Sequence, residues 1–348
     1  MTGIGKLEHE VLTEGCRALD SGGGMDRIAD FAAGLLAAAL MTSLNGFAAD
    51  YPGRALRLVV PFPPGGAADI LARGMAPKLG AQLGQQIVVD NRPGANGVVG
   101  FEVVAKSPAD GYTLLLGFTT GVAVNPVLIP NVPYDAVNSF APISLLAQTP
   151  MVLVASPSFR ATSVQQLILL AKASPGKISY GSPGTGNPNH LAGELFKLTA
   201  GVDLVHVPYK GAALVVTDVI AGHVPTGFVT LAAALAQLRA GRLNALAVTS
   251  NKRSATAPAI PTMGEVGVPG VVITEWFGIL APVRTPSTLI AQLNKEINNA
   301  VQSPEVQARL NEQGLEPLPT TAEDFARLIK SDIDKLATII KKAGIRAE

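Results

Sequence analysis

The chain is 348 residues long, 48% apolar and 15% charged, with 27 basic against 26 acidic side chains. That length suggests two ordinary domains, each able to bury its own core, and the net charge of +1 excludes nucleic-acid binding driven by bulk charge. A high apolar fraction with few charges excludes an intrinsically disordered chain, and 36 glycines and 26 prolines spread without a repeat indicate many tight loops.

In chain order, the first feature is the apolar run Phe31 to Leu44, too short to span a bilayer comfortably and about right for the core of a signal peptide. Gly46-Phe47-Ala48 supplies the small residues of a cleavage site, with Ala49 as an alternative. A buried helix is the competing reading. Residues 1–30 hold three basic and six acidic side chains, whereas signal peptides begin positive. A start at Met25 would fit better. We therefore expect residues 1–48 to be an N-terminal extension and signal peptide, and the mature chain to be exported. Without residues 1–49 the net charge rises to +4, and the sole cysteine, Cys16, is gone. That excludes disulfides, thiolate metal sites and cysteine nucleophiles from the mature protein.

Leu56 to Phe62 reads as a strand stopped by Pro61, Pro63, Pro64 and two glycines. A helical stripe follows at Leu71, Met75, Leu79 and Leu83, with Pro77 expected to kink or divide it. Ile87–Val89, a short helix over Gly97–Ala105 and Tyr112–Gly117 complete a strand-helix-strand-helix-strand unit. The alternation restarts with strands at Met151–Ala155, Lys177–Ser182, Val205–Val207, Thr226–Val229 and Ala245–Thr249. Helices are expected over Ser163–Ala173, after the Pro183–Pro188 loop through Leu198, and from Ala212 and Ala232. Phe277–Ala281 and helices at Ser287–Gln302 and Thr321–Lys342 close the chain. Continuous apolar strands alternating with helices predict α/β architecture with mainly parallel sheets. The last two helices lack strands of their own and are expected to pack back on the first sheet, which makes the first domain discontinuous.

Two glycine-rich turns follow strands and open helices: Pro61 to Asp69 and Ser182 to His190. Such turns can aim unpaired backbone N–H groups at an anion, helped by the helix dipole. Neither carries a P-loop signature, and Gly184-Thr185-Gly186 lacks the third glycine of a dinucleotide fingerprint. Each taken alone could be an ordinary strand-to-helix connection. Beyond residue 49 the histidines are His190, His206 and His223, in unrelated contexts with no metal-ligand spacing. His206 reads as a half-buried strand residue, and His190 as either pocket lining or a structural cap. Ser182 is not in a nucleophile elbow, and Asp69 sits where a helix dipole favours a carboxylate without any function. No acid/base or metal constellation supports an enzyme, and no catalytic residue, metal or cofactor is expected.

The turns do, however, resemble a known family. Tyr51-Pro52, Val59 to Asp69, Val89 to Gly94, Asp110 to Leu114, His190 to Phe196, Val205 to Gly211, Ala245 to Ser250 and Trp276 to Pro282 are similar, in order, to the Bug-type substrate-binding proteins of tripartite tricarboxylate transporters. The resemblance implies a two-lobed periplasmic-binding-protein-like fold, a Venus flytrap. Lobe I would be residues 51–150 plus 278–348 and lobe II residues 151–277. It implies a monomer that binds a small organic carboxylate in the cleft and delivers it to integral membrane permease subunits. Carried residue by residue, the site would be Phe62, Gly66, Ala67 and Asp69 from the first turn, and Thr119 and Thr120 after the third strand. Ser182, Thr185, Gly186, Asn187, His190 and Val229 would come from the other lobe. Micromolar affinity needs about −8 kcal/mol, and charge-assisted hydrogen bonds give roughly 1.5–3 each, so four or five donors suffice without an arginine. A clamp would have to come from Arg92 or Arg284. Many family members carry Phe-Asp where this chain has Phe228-Val229, and Thr-Ser-Thr where it has Asn187-Pro188-Asn189. Loss of that carboxylate points to a ligand without an amine, a dicarboxylate or an aromatic acid. A ligand-sensing module for a signalling partner and an α/β enzyme acting on a carboxylate remain the alternatives.

Overall fold

The structure is a computed structural model that describes residues 51–65 and 67–346. The expected signal peptide, the alternative start at Met25 and Gly66 lie outside the described residues. Pro52–Glu348 forms one compact unit.

The first wing begins with β1 (Leu56–Val60), α1 (Ala67–Leu83), β2 (Ile87–Asn91), α2 (Val98–Ala105) and β3 (Thr113–Phe118). β1 pairs in parallel with both β2 and β3. Pro77 does not divide α1, which is a single helix across it. Its ring and the Arg73 turn it faces are on the exposed side, where water can take the carbonyl that Pro77 leaves without an N–H partner. After β3 come a π-helical turn (Thr120–Val124) and the four-residue α3 (Asn125–Leu128).

β4 (Phe140–Ala155) is 16 residues long, three times the strand expected at Met151–Ala155. Its first part, to Pro150, pairs antiparallel with β9 (Thr274–Pro282). Its last part, from Met151, pairs antiparallel with β7 (Thr226–Thr230) and β8 (Asn244–Val248). The change of partner falls at Pro150, which has no N–H to give to a ladder.

The second wing adds α4 (Val164–Ala173), β5 (Ile178–Ser182), α5 (Pro188–Ala200), β6 (Leu204–Pro208), α6 (Ala212–Ala221) and α7 (Leu231–Arg239). β5 is parallel to β6 and β7. The strand order is β2-β1-β3-β9-β4-β7-β5-β6, with β8 and the two-residue β10 (Glu316–Pro317) also on β4. The sheet is therefore parallel in its wings and antiparallel in the middle, because β4 and β9 cross it in opposite directions. Together they give a two-lobed α/β fold.

Burial follows the pleat. Met151, Leu153 and Phe228 share one apolar cluster with Tyr180, Leu191 and Phe196, while their neighbours Val152, Val154 and Val229 join a second one beneath α6 and α7. The chain ends with α8 (Ser287–Gln302), α9 (Pro304–Glu312) and α10 (Ala322–Ala343). α8 packs on β4 and α1 of the first wing. α10 buries Phe325, Ile329, Leu336, Ile339 and Ile340 along one face. Its early turns meet the Trp276 ring through Phe325, and its late turns lie in the same cluster as Leu191 and Phe196. It thus packs on both wings, not on the first sheet alone.

Candidate functional site

Parallel strands present the turns after their C-terminal ends on one edge of a sheet, where α/β proteins bind ligands. The Pro61–Gly65 turn after β1 is fixed by Asp69, buried in the first turn of α1. Its carboxylate accepts from Gly65 N–H (2.9 Å), Asn91 Nδ2 (2.9 Å) and Arg73 Nε (3.0 Å). Asn91 Nδ2 also donates to the Phe62 carbonyl at 3.0 Å. Burial alone would raise the Asp69 pKa, but the Gly65, Arg73 and Asn91 hydrogen bonds and the Arg73 charge together hold it below the usual aspartate value.

The Pro183–Asn187 turn after β5 is built the same way from different groups. Asn187 caps α5, its Oδ1 accepting from His190 N–H at 3.0 Å. His190 Nδ1 accepts from Gly186 N–H at 2.9 Å, so its ring proton is on Nε2, 3.8 Å from Glu194 Oε1. The His190 ring stacks on His206 with centroids 3.7 Å apart. Burial, then the neighbouring His206 and Lys197, push His190 down to about 3, which keeps it neutral and able to accept. Ser182 Oγ donates to the Gly184 carbonyl at 2.9 Å and lies 2.7 Å from His206 Nε2. With the hydroxyl proton spent on Gly184, His206 is the donor, so Ser182 braces the turn and is not activated as a nucleophile.

Between the two turns is a cavity of about 770 Å³. Its wall includes Phe62 from the first turn, Thr120 after β3, and Thr185, Gly186 and Asn187 from the second turn. Five of the residues nominated from sequence are thus brought together. Asp69, Thr119, Ser182 and His190 are buried and are not in the wall. Thr119 Oγ1 accepts from Trp276 N–H at 3.0 Å. Val229 is not in the wall either, being fully buried with Val152 and Val215. Arg92 is engaged with Asp90 at 3.0 Å, and Arg284 is exposed. Neither lines the cavity, and no charged side chain does among the described residues.

Sequence reasoning missed Asn96, Asn125 and Leu128, which also line the wall. Gly94, Ala95, Asn96 and Gly97 all have positive φ, a tight turn that Pro93-Gly94 and Asn96-Gly97 announce. Asn125 Nδ2 donates to the Asn96 carbonyl at 3.0 Å and ties that turn to α3. Leu128 lies against Gly186, where φ is +78° and a Cβ would come within 2.3 Å of Leu128 Cδ1. A groove of about 830 Å³ elsewhere is walled only by α1, β2 and the link between them, so it joins neither turn to the other.

The family model for the tripartite tricarboxylate transporter receptors, TctC, matches residues 71–345. The chain belongs to this family. Protein BugT of Bordetella pertussis is 39% identical over 297 residues, 85% of this chain and 91% of BugT. Among TctC-like solved structures, Rhodopseudomonas palustris Rpa4515 with adipate is 37% identical with a TM-score of 0.76, covering 85% of this chain and 99% of that one. The periplasmic binding protein BugD is 34% identical with a TM-score of 0.72, covering 86% and 100%. These TctC relatives bear out the Bug-type resemblance and the two-lobed fold.

Proposed function

We propose that this receptor captures a small carboxylate without an amine in the 770 Å³ cavity and passes it to membrane permease subunits. It acts as a periplasmic monomer that lacks residues 1–48, the N-terminal extension and signal peptide. The lobes are residues 51–150 plus 278–348 and residues 151–277, with β4 and β9 as the crossing strands. The observation that carries this reading is the wall itself: two glycine-rich turns, one from each wing, converge on one cavity that has no charged side chain among its described lining. An anion there would be held by backbone N–H groups and the Thr120, Thr185 and Asn187 side chains, and Gly66 and Ala67 are further candidates from the sequence. An ammonium group would find no carboxylate partner. That Rpa4515 is found with adipate supports a dicarboxylate. Asp69, Thr119, Ser182, His190 and Val229 act from behind, by holding the elements that carry the wall. No reaction is assigned, since the Ser182–His206 pair is spent on turn support.

A thermal-shift screen of mono- and dicarboxylates, aromatic acids and acidic amino acids tests this. A ligand at a hundred times its Kd adds about 2.7 kcal/mol, or about 5 °C for a chain of this size. Shifts with amine-free acids alone are expected. Aspartate or glutamate binding as tightly as their deaminated analogues would remove the amine-free assignment. No shift with any acid, even after refolding from denaturant to strip a retained ligand, would remove the carboxylate.

A further inference from the structure

Behind the cavity wall lies an acid that the binding chemistry above does not use. Glu275, the second residue of β9, is buried, and its Oε1 has no hydrogen-bond partner. Antiparallel pairing of β3 with β9, Phe118 opposite Phe277, brings the Thr119 and Thr120 amides alongside its carboxyl group. Glu275 therefore sits under the start of the π-helical turn whose first residue, Thr120, is in the wall. From β4, the residue opposite it is the uncharged Thr149. From α10 the group that faces it is another acid, Asp332, buried and held by Trp276 Nε1 at 2.8 Å and Lys335 Nζ at 2.7 Å. Lys335 is taken up by Asp332. The same short stretch of β9 is tied to the turn a second time, through Trp276 N–H to Thr119 Oγ1.

We propose that Glu275 is a positioning residue whose proton sets the Thr119–Thr120 turn and, through it, the Thr120 part of the cavity wall. With the proton on, the carboxyl is neutral and rests under the turn. With the proton released to solvent, a buried charge faces Asp332 with one oxygen unsatisfied, and the turn it supports must shift to relieve it. Burial, with the Asp332 charge adding to it, pushes Glu275 up to about 8 against the pull of the two amides. The wall is therefore in its neutral-carboxyl arrangement below that pH and altered above it. An anion seated at Thr120 adds a further negative charge and favours the proton, so binding and protonation reinforce each other. This last consequence rests on the carboxylate reading of the cavity; the motion of the wall does not.

Trp276 is the only tryptophan in the chain, so its emission reports on this site alone. Its fluorescence and the amide resonances of Thr119 and Thr120 should titrate together around pH 8, with no ligand present. Glu275→Gln should abolish that transition and Asp332→Asn should lower its midpoint. A transition that persists in Glu275→Gln, or amides that stay still throughout, overturns the proposal. Adipate affinity, measured by calorimetry one pH unit below and above the midpoint, should fall up to about tenfold in the native protein and stay level in Glu275→Gln. Adipate binding equally at both pH values while the amides titrate overturns the link to the ligand. Titrating amides with no adipate binding at all leave the proton-set wall standing and count against the dicarboxylate reading.

Discussion

Removing the Asp69 carboxyl would strand three donors at once: the Gly65 amide, the Asn91 side chain and the Arg73 guanidinium. Asp69→Ala should cost about 2 kcal/mol in urea denaturation, the range for hydrogen bonds to a charged group. Because the folded pKa is depressed, this stability is present above the ordinary aspartate value and is lost as pH falls through the lower folded value. The native protein should accordingly lose stability in acid faster than Asp69→Asn. Gly186 is a sharper case. Alanine there must adopt φ near +78° and push Leu128 aside. Gly186→Ala should lose about 1–3 kcal/mol and weaken binding of whichever carboxylate the thermal screen identifies. At this scale the sequence told less than at any other. Asp69 and His190 stood out by their place in a first helical turn, but whether such a group faces a ligand or its own loop depends on rotamers and on partners such as Asn91, 22 residues away. Asn125 and Leu128 carried no motif at all, and Asn96 only the turn signal it makes with Gly97.

At the scale of elements, α5 couples helix stability to the wall, since Asn187 both caps the helix and lines the cavity. Asn187→Ala should cost about 1 kcal/mol in denaturation. Asn187→Asp should keep the cap, yet weaken an anionic ligand by placing a negative charge beside it; equal affinity of the Asp variant and the native protein in calorimetry would count against anion binding at this wall. Elements with a clean period were readable: α8 spans Ser287–Gln302 as expected, and α10 starts one residue after its Thr321 cap. Phe140–Gln148 gives no strand signal, because Pro142 and polar residues break its apolar run and only pairing with β9 makes it extended. α9 has only Ser303-Pro304, the form of a helix start, to mark it in the sequence. The π-helical turn has no sequence signal, because it depends on Glu275 and Trp276 from the far end of the chain.

At the scale of the whole molecule, α10 closes what the chain order leaves open. Leu336 is buried in a cluster shared with α4, α5, β4 and β7, although it comes more than a hundred residues after them. Leu336→Ala should cost about 2–5 kcal/mol. Since β4 and α10 each belong to both wings, calorimetric unfolding should remain one transition in that variant, with no early melting of one wing. The uncharged cavity wall also has a meaning for the medium in which the receptor works. Long-range attraction between opposite charges is what dissolved ions screen, over about 10 Å at 0.1 M. A grip made of backbone amides, hydroxyls and an amide side chain offers nothing for them to screen. Capture should therefore be as tight in brine as in dilute water, so occupancy would follow the supply of the solute and ignore swings in ionic strength.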